Sequence, residues 1–331
     1  MINTVLGPIS PDELGVTLVH EHIVYGQPGW YGDTVAPYDR AAVRDAAIDR
    51  MEELRGFGVK TFVDATPNDT GRDPLLYREI AEASGMQIIC STGYYPEFGG
   101  ASAYFKFRQM VGNAPEEICE LMTTEITEGI GDTGVRAGAI KLGSSEAEIT
   151  DYERMLMTVA ARVQRDTGVP IITHTELGTM GPEQARLLIS EGADPDRIMI
   201  GHMSDNDDVA YQKATLDQGV SVAFDRMGLE VTPEAPNDER RIACLIELIN
   251  AGYGEQIMIS HDSIVHFLGR PLEVPEEVAP LVANWEPTHL FRNVIPALQE
   301  GGVSDDQIQT IIEHNPRRLF GGQARQLEGG S

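Results

Sequence analysis

Six residues able to hold a metal ion each close a short apolar run, although they lie far apart in the chain. His20 and His22 end the run Val16-Thr17-Leu18-Val19, and Lys141 follows Ala137-Gly138-Ala139-Ile140. His174 follows Pro170-Ile171-Ile172-Thr173, His202 follows Ile198-Met199-Ile200-Gly201, and Asp262 ends the run that begins at Gln256. Of 8 histidines in the chain, four stand at these run ends, so independent packing roles are a poor account of the set. Imidazole and carboxylate donors suit divalent cations, and a bound cation makes water a nucleophile near neutral pH. The chemistry this set points to is metal-activated hydrolysis.

Lys141 is the sharpest of the six. On an extended segment its face reads Ala137, Ala139, Lys141, Gly143, so one long base stands among small residues. A buried unpaired ammonium is costly and either loses its proton or finds a partner. A neutral amine reacts with carbon dioxide to give a carbamate, whose two oxygens can bridge two cations. The simpler alternative is a lysine that stretches to the strand end and pairs with a carboxylate. His20 and His22, two apart on a strand, should share a face with Glu21 on the other. By the same alternation His261 should face away from Asp262 and serve in packing or in support behind the ligands, and His266, His289 and His314 have no comparable support as ligands.

Polar residues at the ends of separate buried strands converge only where the strand ends do, which a parallel barrel provides at its C-terminal face. Short β-branched runs predict strands over 17–23, 60–66, 87–93, 137–143, 170–176, 198–204, 220–226 and 256–262. Helical periodicity predicts helices over 40–56, 73–84, 115–129, 151–167, 182–191, 207–218, 238–251 and about 303–318. Eight alternating units without a break in composition predict one (β/α)8 TIM barrel spanning 1–331, with the tail from about 322 to 331 disordered. No Gly-x-Gly-x-x-Gly follows the first strand and no Gly-x-Ser-x-Gly elbow is present, which disfavours nucleotide binding and serine hydrolysis. The stretch 263–287 reads as one long apolar connection with Val265, Phe267 and Trp285, broken by Pro271, Pro275 and Pro280. Such a loop after the eighth strand is expected to be a lid or wall of the substrate pocket, to form an oligomer contact, or both.

The net charge of -27, with only four lysines, sets the chain against nucleic acid and anionic membrane as partners. Three scattered cysteines, Cys90, Cys119 and Cys244, predict no disulfide framework, and with no signal peptide at the start the expected location is the cytoplasm.

The order of these motifs resembles the phosphotriesterase-like branch of the amidohydrolase superfamily. The segments that carry the likeness are Gly15-Val16-Thr17-Leu18-Val19-His20-Glu21-His22, Val63-Asp64-Ala65-Thr66, Gly71-Arg72-Asp73, Ile140-Lys141 and Thr173-His174-Thr175. Ile200-Gly201-His202, with Asp205 three residues on, and His261-Asp262 complete it. The resemblance implies a binuclear centre, usually zinc with cobalt, manganese or iron as alternatives, and a carbamylated Lys141 bridging the two ions. It further implies His20, His22 and Asp262 on the buried ion, His174 and His202 on the exposed one, Asp205 behind them, and a homodimer. The run Phe224-Asp225-Arg226-Met227-Gly228-Leu229 looks like the lactonase members, as does Tyr95 in Thr92-Gly93-Tyr94-Tyr95. Pro96-Glu97 departs from the aromatic run of some relatives. The resemblance thus implies hydrolysis of a lactone by hydroxide shared between two cations, with Asp262 moving the proton, Tyr95 orienting the ester and Arg226 shaping the pocket. An N-acyl homoserine lactone, and with it quorum quenching, is the leading substrate expectation. The alternatives are a phosphotriesterase or carboxylesterase on the same site, and a barrel that binds metal or ligand without turnover.

Overall fold

The structure is a computed structural model that describes residues 1–230 and 235–322. Eleven strands are present among them. A short antiparallel hairpin of β1 (Ile2–Thr4) and β2 (Gly7–Ile9) precedes the main sheet. The sheet contains β3 (Val16–Tyr25), β4 (Val59–Asp64), β5 (Gln87–Gly93), β6 (Ala139–Ser144), β7 (Ile171–Thr175) and β8 (Ile198–Ile200). It continues with β9 (Ser221–Phe224), β10 (Ile257–Ile259) and β11 (Ile264–Phe267). All its neighbours run parallel, in the order β10-β9-β8-β7-β6-β5-β4-β3-β11.

The eighth barrel strand is therefore interrupted. β10 pairs β9 on one side, while β11 pairs β3 on the other, with Ile264 opposite His22. Between them Asp262 sits at φ 56, in the left-handed region, and its N–H donates to the His20 carbonyl (3.0 Å). This closes the sheet into a TIM barrel and corrects two expectations: 256–262 is not one continuous strand, and 263–287 is not connection throughout, because it begins with β11.

One residue from each barrel strand packs at the centre: Val19, Val63, Ile89, Ala139, Ile172, Met199, Ala223 and Met258. Ile2, Leu14, Leu319 and Phe320 plug this layer from below. The interior is thus filled side chains, not a pore. Helices α1 (Arg40–Gly56), α2 (Pro74–Ser84), α3 (Ala103–Val111), α4 (Ala114–Thr127), α5 (Asp151–Thr167), α6 (Gly181–Ser190), α7 (Val209–Leu216) and α8 (Asp238–Leu248) follow in sequence. Their apolar stripes, such as Val43, Ala47, Met51 and Leu54 of α1, bury against the outside of the sheet. α9 (Ile295–Glu300), α10 (Asp305–Gln309) and α11 (Asn315–Gly321) complete the described chain. The sequence pattern misses α3 and α9. α3 buries only Phe105, so it lacks the stripe that signals a helix. Gly322 caps α11 in the left-handed conformation, and the rest of the predicted disordered tail lies outside the described residues. No described helix is long and apolar enough to cross a membrane.

Candidate metal centre

Interior register explains how most of the site is placed. Two residues beyond the central layer, on the same face, come Lys141 from Ala139, His174 from Ile172 and Asp225 from Ala223. Simple alternation fails for the first strand. Counting from Val19 would put Glu21 inside and both histidines outside. The pairing of β3 with β4 shifts register between Leu18 and Glu21, and His20 and His22 both turn toward Asp262. His202 reaches the interior by another route: its φ of 58 turns the chain just after β8. Two of the six left-handed non-glycine residues among the described residues, His202 and Asp262, are thus in the site, where backbone strain is commonly held.

The six residues meet in one cavity of about 330 Å³, lined also by Tyr25, Gln27, Tyr95, Arg226, Leu229, Ile264, Phe267 and Trp285. Asp262 is central. Its Oδ1 lies 3.0 Å from His22 Nε2 and 3.4 Å from His20 Nε2, and its Oδ2 lies 3.7 Å from His202 Nε2. Lys141 Nζ is 3.2 Å from His20 Nε2, and the His174 ring stands edge-on to His202 with centroids 4.5 Å apart. Among the described residues, donor atoms of His20, His202 and Asp262 fall within 4.8 Å of one another.

The partners on the far side of each ring fix the tautomers. His20 Nδ1–H donates to Asp225 Oδ2 (2.6 Å), and His202 Nδ1–H to Asp225 Oδ1 (3.1 Å). Thr66 spends its hydroxyl proton on the Val24 carbonyl and so accepts from His22 Nδ1–H (2.8 Å). All three rings then present bare Nε2 lone pairs to the oxygens of Asp262. Acceptors facing acceptors in a buried space is an arrangement completed by a cation, and outer partners of this kind orient metal-binding imidazoles. His174 differs, since its Nε2 faces Glu176 Oε2 (2.8 Å), which leaves Nδ1 as its candidate ligand atom. The residues present fit a divalent metal centre.

Electrostatics agree. Burial lowers the pKa of His20, His174 and His202, favouring neutral rings with available lone pairs. Burial also lowers the Lys141 ammonium to about 8, against the opposing pull of Asp262 and Asp225. Burial penalises the Asp262 carboxylate, yet its carboxyl is held well below the usual carboxylate range, and with the His20 and His202 rings neutral the cation that favours the ionised form is the Arg226 guanidinium. Arg226 donates from Nε to Asp262 Oδ2 (3.1 Å) and from Nη1 to Asp205 Oδ2 (2.6 Å). Burial pushes the Tyr95 phenol up to about 12, so it stays protonated beside Tyr25 and against the His174 ring.

Of the apolar pocket residues expected from sequence, Phe267 and Trp285 line the cavity that holds the six candidate ligands, but Val265 does not. It faces a neighbouring apolar cavity of about 810 Å³ between α1 and the 265–285 stretch, which Phe267 and Trp285 also border. Ile264 takes its place at the metal pocket. Trp285 is held by its indole N–H on the His261 carbonyl (3.0 Å). His261 packs as expected, donating from Nδ1 to Glu21 and accepting at Nε2 from the Leu290 N–H.

Sequence reasoning missed Asp225, Glu21, Thr66, Tyr25 and Glu176. Asp225 had a usable signal, because it stands in the same interior register as Lys141. Glu21 is fully buried and accepts from Ser260 Oγ, the His261 and Ser263 N–H groups, His261 Nδ1 and Ser263 Oγ, which pins the break between β10 and β11.

The Phosphotriesterase family model matches residues 1–320. The chain belongs to this family. It is 33% identical over 332 residues to a "Phosphotriesterase homology protein" of Mycobacterium tuberculosis, covering 96% of this chain and 97% of that one. It is 34% identical over 313 residues to an "Aryldialkylphosphatase" of Saccharolobus solfataricus, covering 94% of this chain and 96% of the relative. Among solved structures, a mutant of a PTE-like lactonase from Deinococcus radiodurans superposes with a TM-score of 0.95 at 50% identity, covering 97% of this chain and 100% of that chain.

Proposed function

We propose that this member of the phosphotriesterase family acts as a single catalytic domain, 1–331, that opens lactone rings at a binuclear metal centre. The observation that carries the reading is the set of imidazoles of His20, His22 and His202 whose Nε2 atoms converge on Asp262 beside the buried Lys141 amine. Family membership supports two divalent ions, with zinc the leading candidate and cobalt, manganese or iron as alternatives. His20, His22 and Asp262 would hold the buried ion, His174 and His202 the exposed one, and a carbamate on Lys141 would bridge them. Bound there, the two ions would supply the Lewis acidity that activates water and polarises the ester carbonyl.

The chain's own groups perform the rest. Asp262 accepts the proton of the attacking water and returns it to the leaving alkoxide, which is general acid-base catalysis by one carboxylate. Arg226, held by Asp205, keeps Asp262 Oδ2 in place. Tyr95, protonated, offers its phenol O–H to the ester, and Phe267, Ile264 and Trp285 exclude water from the ring. A lactone with an apolar tail, such as an N-acyl homoserine lactone, suits a metal pocket bordered by a second, apolar cavity. Quorum quenching, a homodimer and a cytoplasmic location belong to the same proposal.

The name and 50% identity of the Deinococcus structure favour a lactonase, while the Saccharolobus relative supports phosphotriester hydrolysis as a second activity of the same site. Metal-loaded protein assayed on γ-lactones, N-acyl homoserine lactones and a diethyl aryl phosphate tests this. We expect kcat/KM to be higher on at least one lactone class. Turnover of the phosphotriester alone would overturn the lactonase reading, and turnover of neither, with metal bound, would overturn hydrolysis. Loss of carbon dioxide from the intact mass on chelation, abolished in Lys141→Ala, tests the bridge.

A further inference from the structure

Two loops meet beside the candidate metal pocket: Arg226–Leu229 after β9, whose Arg226 and Leu229 line it, and Met203–Asp205, which directly follows the lining residue His202. Beneath both lies Arg241, in the first turn of α8, among the largest side chains with no exposed surface. Its Nε donates to the Ser204 carbonyl (3.1 Å). Its Nη1 donates to the Arg226 carbonyl (2.5 Å) and to Asp238 Oδ1 (3.2 Å). Its Nη2 donates to Asp205 Oδ1 (3.2 Å) and to the Leu229 carbonyl (2.8 Å). Every guanidinium N–H has an acceptor, and four of those acceptors lie on the two loops.

The side chains continue the connection. Asp205 receives Arg241 on one oxygen and Arg226 on the other, and Arg226 Nε reaches Asp262. Opposite charges alternate from Arg241 through Asp205 and Arg226 to Asp262. Asp238 braces the same loop by accepting from the Gly228 N–H (3.0 Å) and facing His289 Nε2 (2.7 Å).

We propose that Arg241 is a positioning residue for hydrolysis. It holds the Arg226 main chain directly and the Arg226 side chain through Asp205, and so sets where Arg226 meets Asp262 and the substrate. A buried carboxylate that loses one of two guanidinium partners is left under-compensated and draws its remaining partner toward itself. Lysine cannot restore the arrangement, because a point charge with three donors does not span carbonyls on two loops. The proposal rests on the reading of Arg226 as a pocket residue of the hydrolase.

The test is a double-mutant cycle with Arg241→Lys and Arg226→Met, separately and together, on protein of matched metal content with kcat and KM measured on a lactone. Arg241→Lys should keep the metal of the parent protein and lower kcat/KM about tenfold. In the Arg226→Met background the same substitution should change kcat/KM by less than about twofold, since its route is already cut. Equal losses in both backgrounds would overturn the proposal, as would a lowered melting temperature with unchanged kinetics. Should Arg241→Lys fail to fold, Asp205→Asn takes its place in the cycle, with the same outcomes deciding. If Arg226→Met alone leaves lactone hydrolysis intact, the reading of Arg226 falls and this proposal with it.

Discussion

Asp225→Asn is the substitution that most directly tests whether the convergence of histidines is a metal centre. The Asp225 carboxylate is fully buried and accepts three hydrogen bonds, from His20 Nδ1–H, the His202 main-chain N–H (2.6 Å) and His202 Nδ1–H. An asparagine of the same shape offers one oxygen and one NH₂. With the oxygen toward His202, the NH₂ faces His20 Nδ1 and can only be accepted there if His20 moves its proton to Nε2. That proton then occupies the lone pair aimed at Asp262. With the amide reversed, the NH₂ faces the His202 main-chain N–H, and two buried donors meet. Either orientation leaves one buried donor unsatisfied or one ligand blocked, about 1–3 kcal/mol for the first. Loss of an orienting partner of a metal-bound histidine typically weakens metal binding about 10–100-fold. The assay is metal per chain against buffered free metal, read by elemental mass spectrometry, with melting temperature as the control for folding. We expect the occupancy midpoint to move by at least one decade while the folded fraction stays constant. An unchanged midpoint in folded Asp225→Asn protein would refute the tautomer argument, and with it the claim that bare Nε2 lone pairs define the site.

Three further outcomes follow from the same contacts. Glu21→Gln replaces an ionised acceptor of five hydrogen bonds with one oxygen and an NH₂, so metal-free protein should lose about 3 kcal/mol or more in urea titrations; an unaltered midpoint would show that the break between β10 and β11 holds without it. Gly93→Ala puts a Cβ 1.9 Å from the Lys141 carbonyl oxygen at a φ of +127, and should cost about 3 kcal/mol and displace Lys141, seen as a lower melting temperature together with lost metal. Burial penalises the Glu125 carboxyl, but its hydrogen bonds and charge contact with Arg72, and those with Thr92 and Asn68, hold its pKa below the ordinary 4.5. The unfolded chain takes up that proton first, so this stabilisation is present above about pH 4.5 and fades as pH falls through the folded value. The gap in urea midpoint between parent and Glu125→Gln should therefore hold from neutral pH down to about pH 4.5 and narrow below it, and a constant gap would refute the assignment.

What the sequence made legible, and what it hid, divides along one physical line. Alternation along a strand is a local rule, and it exposes a polar residue that ends an apolar run; Lys141 and His174 are found this way because their strands keep regular register up to the site. The rule fails where the backbone leaves that register. The shift in β3 reverses the naive assignment of Glu21 and the two histidines, and the left-handed turns at His202 and Asp262 bring in candidate ligands that strand parity alone would not place. Asp262 also disguises the end of the barrel, since its turn makes the eighth strand look finished while Ile264–Phe267 still pairs with the first. That pairing joins segments some 240 residues apart, such as Asp262 with His20, and no periodicity encodes it. Groups that orient the candidate ligands are hidden for a related reason. Arg241 sits on a helix at a position that reads as ordinary solvent-facing charge, and Glu21 reads as the polar residue between two histidines. Both are fully buried, and burying an ion is tolerated only when partners are assembled around it from distant loops. A charged residue whose role depends on such partners therefore leaves no local mark, whereas a ligand at the end of an apolar strand does.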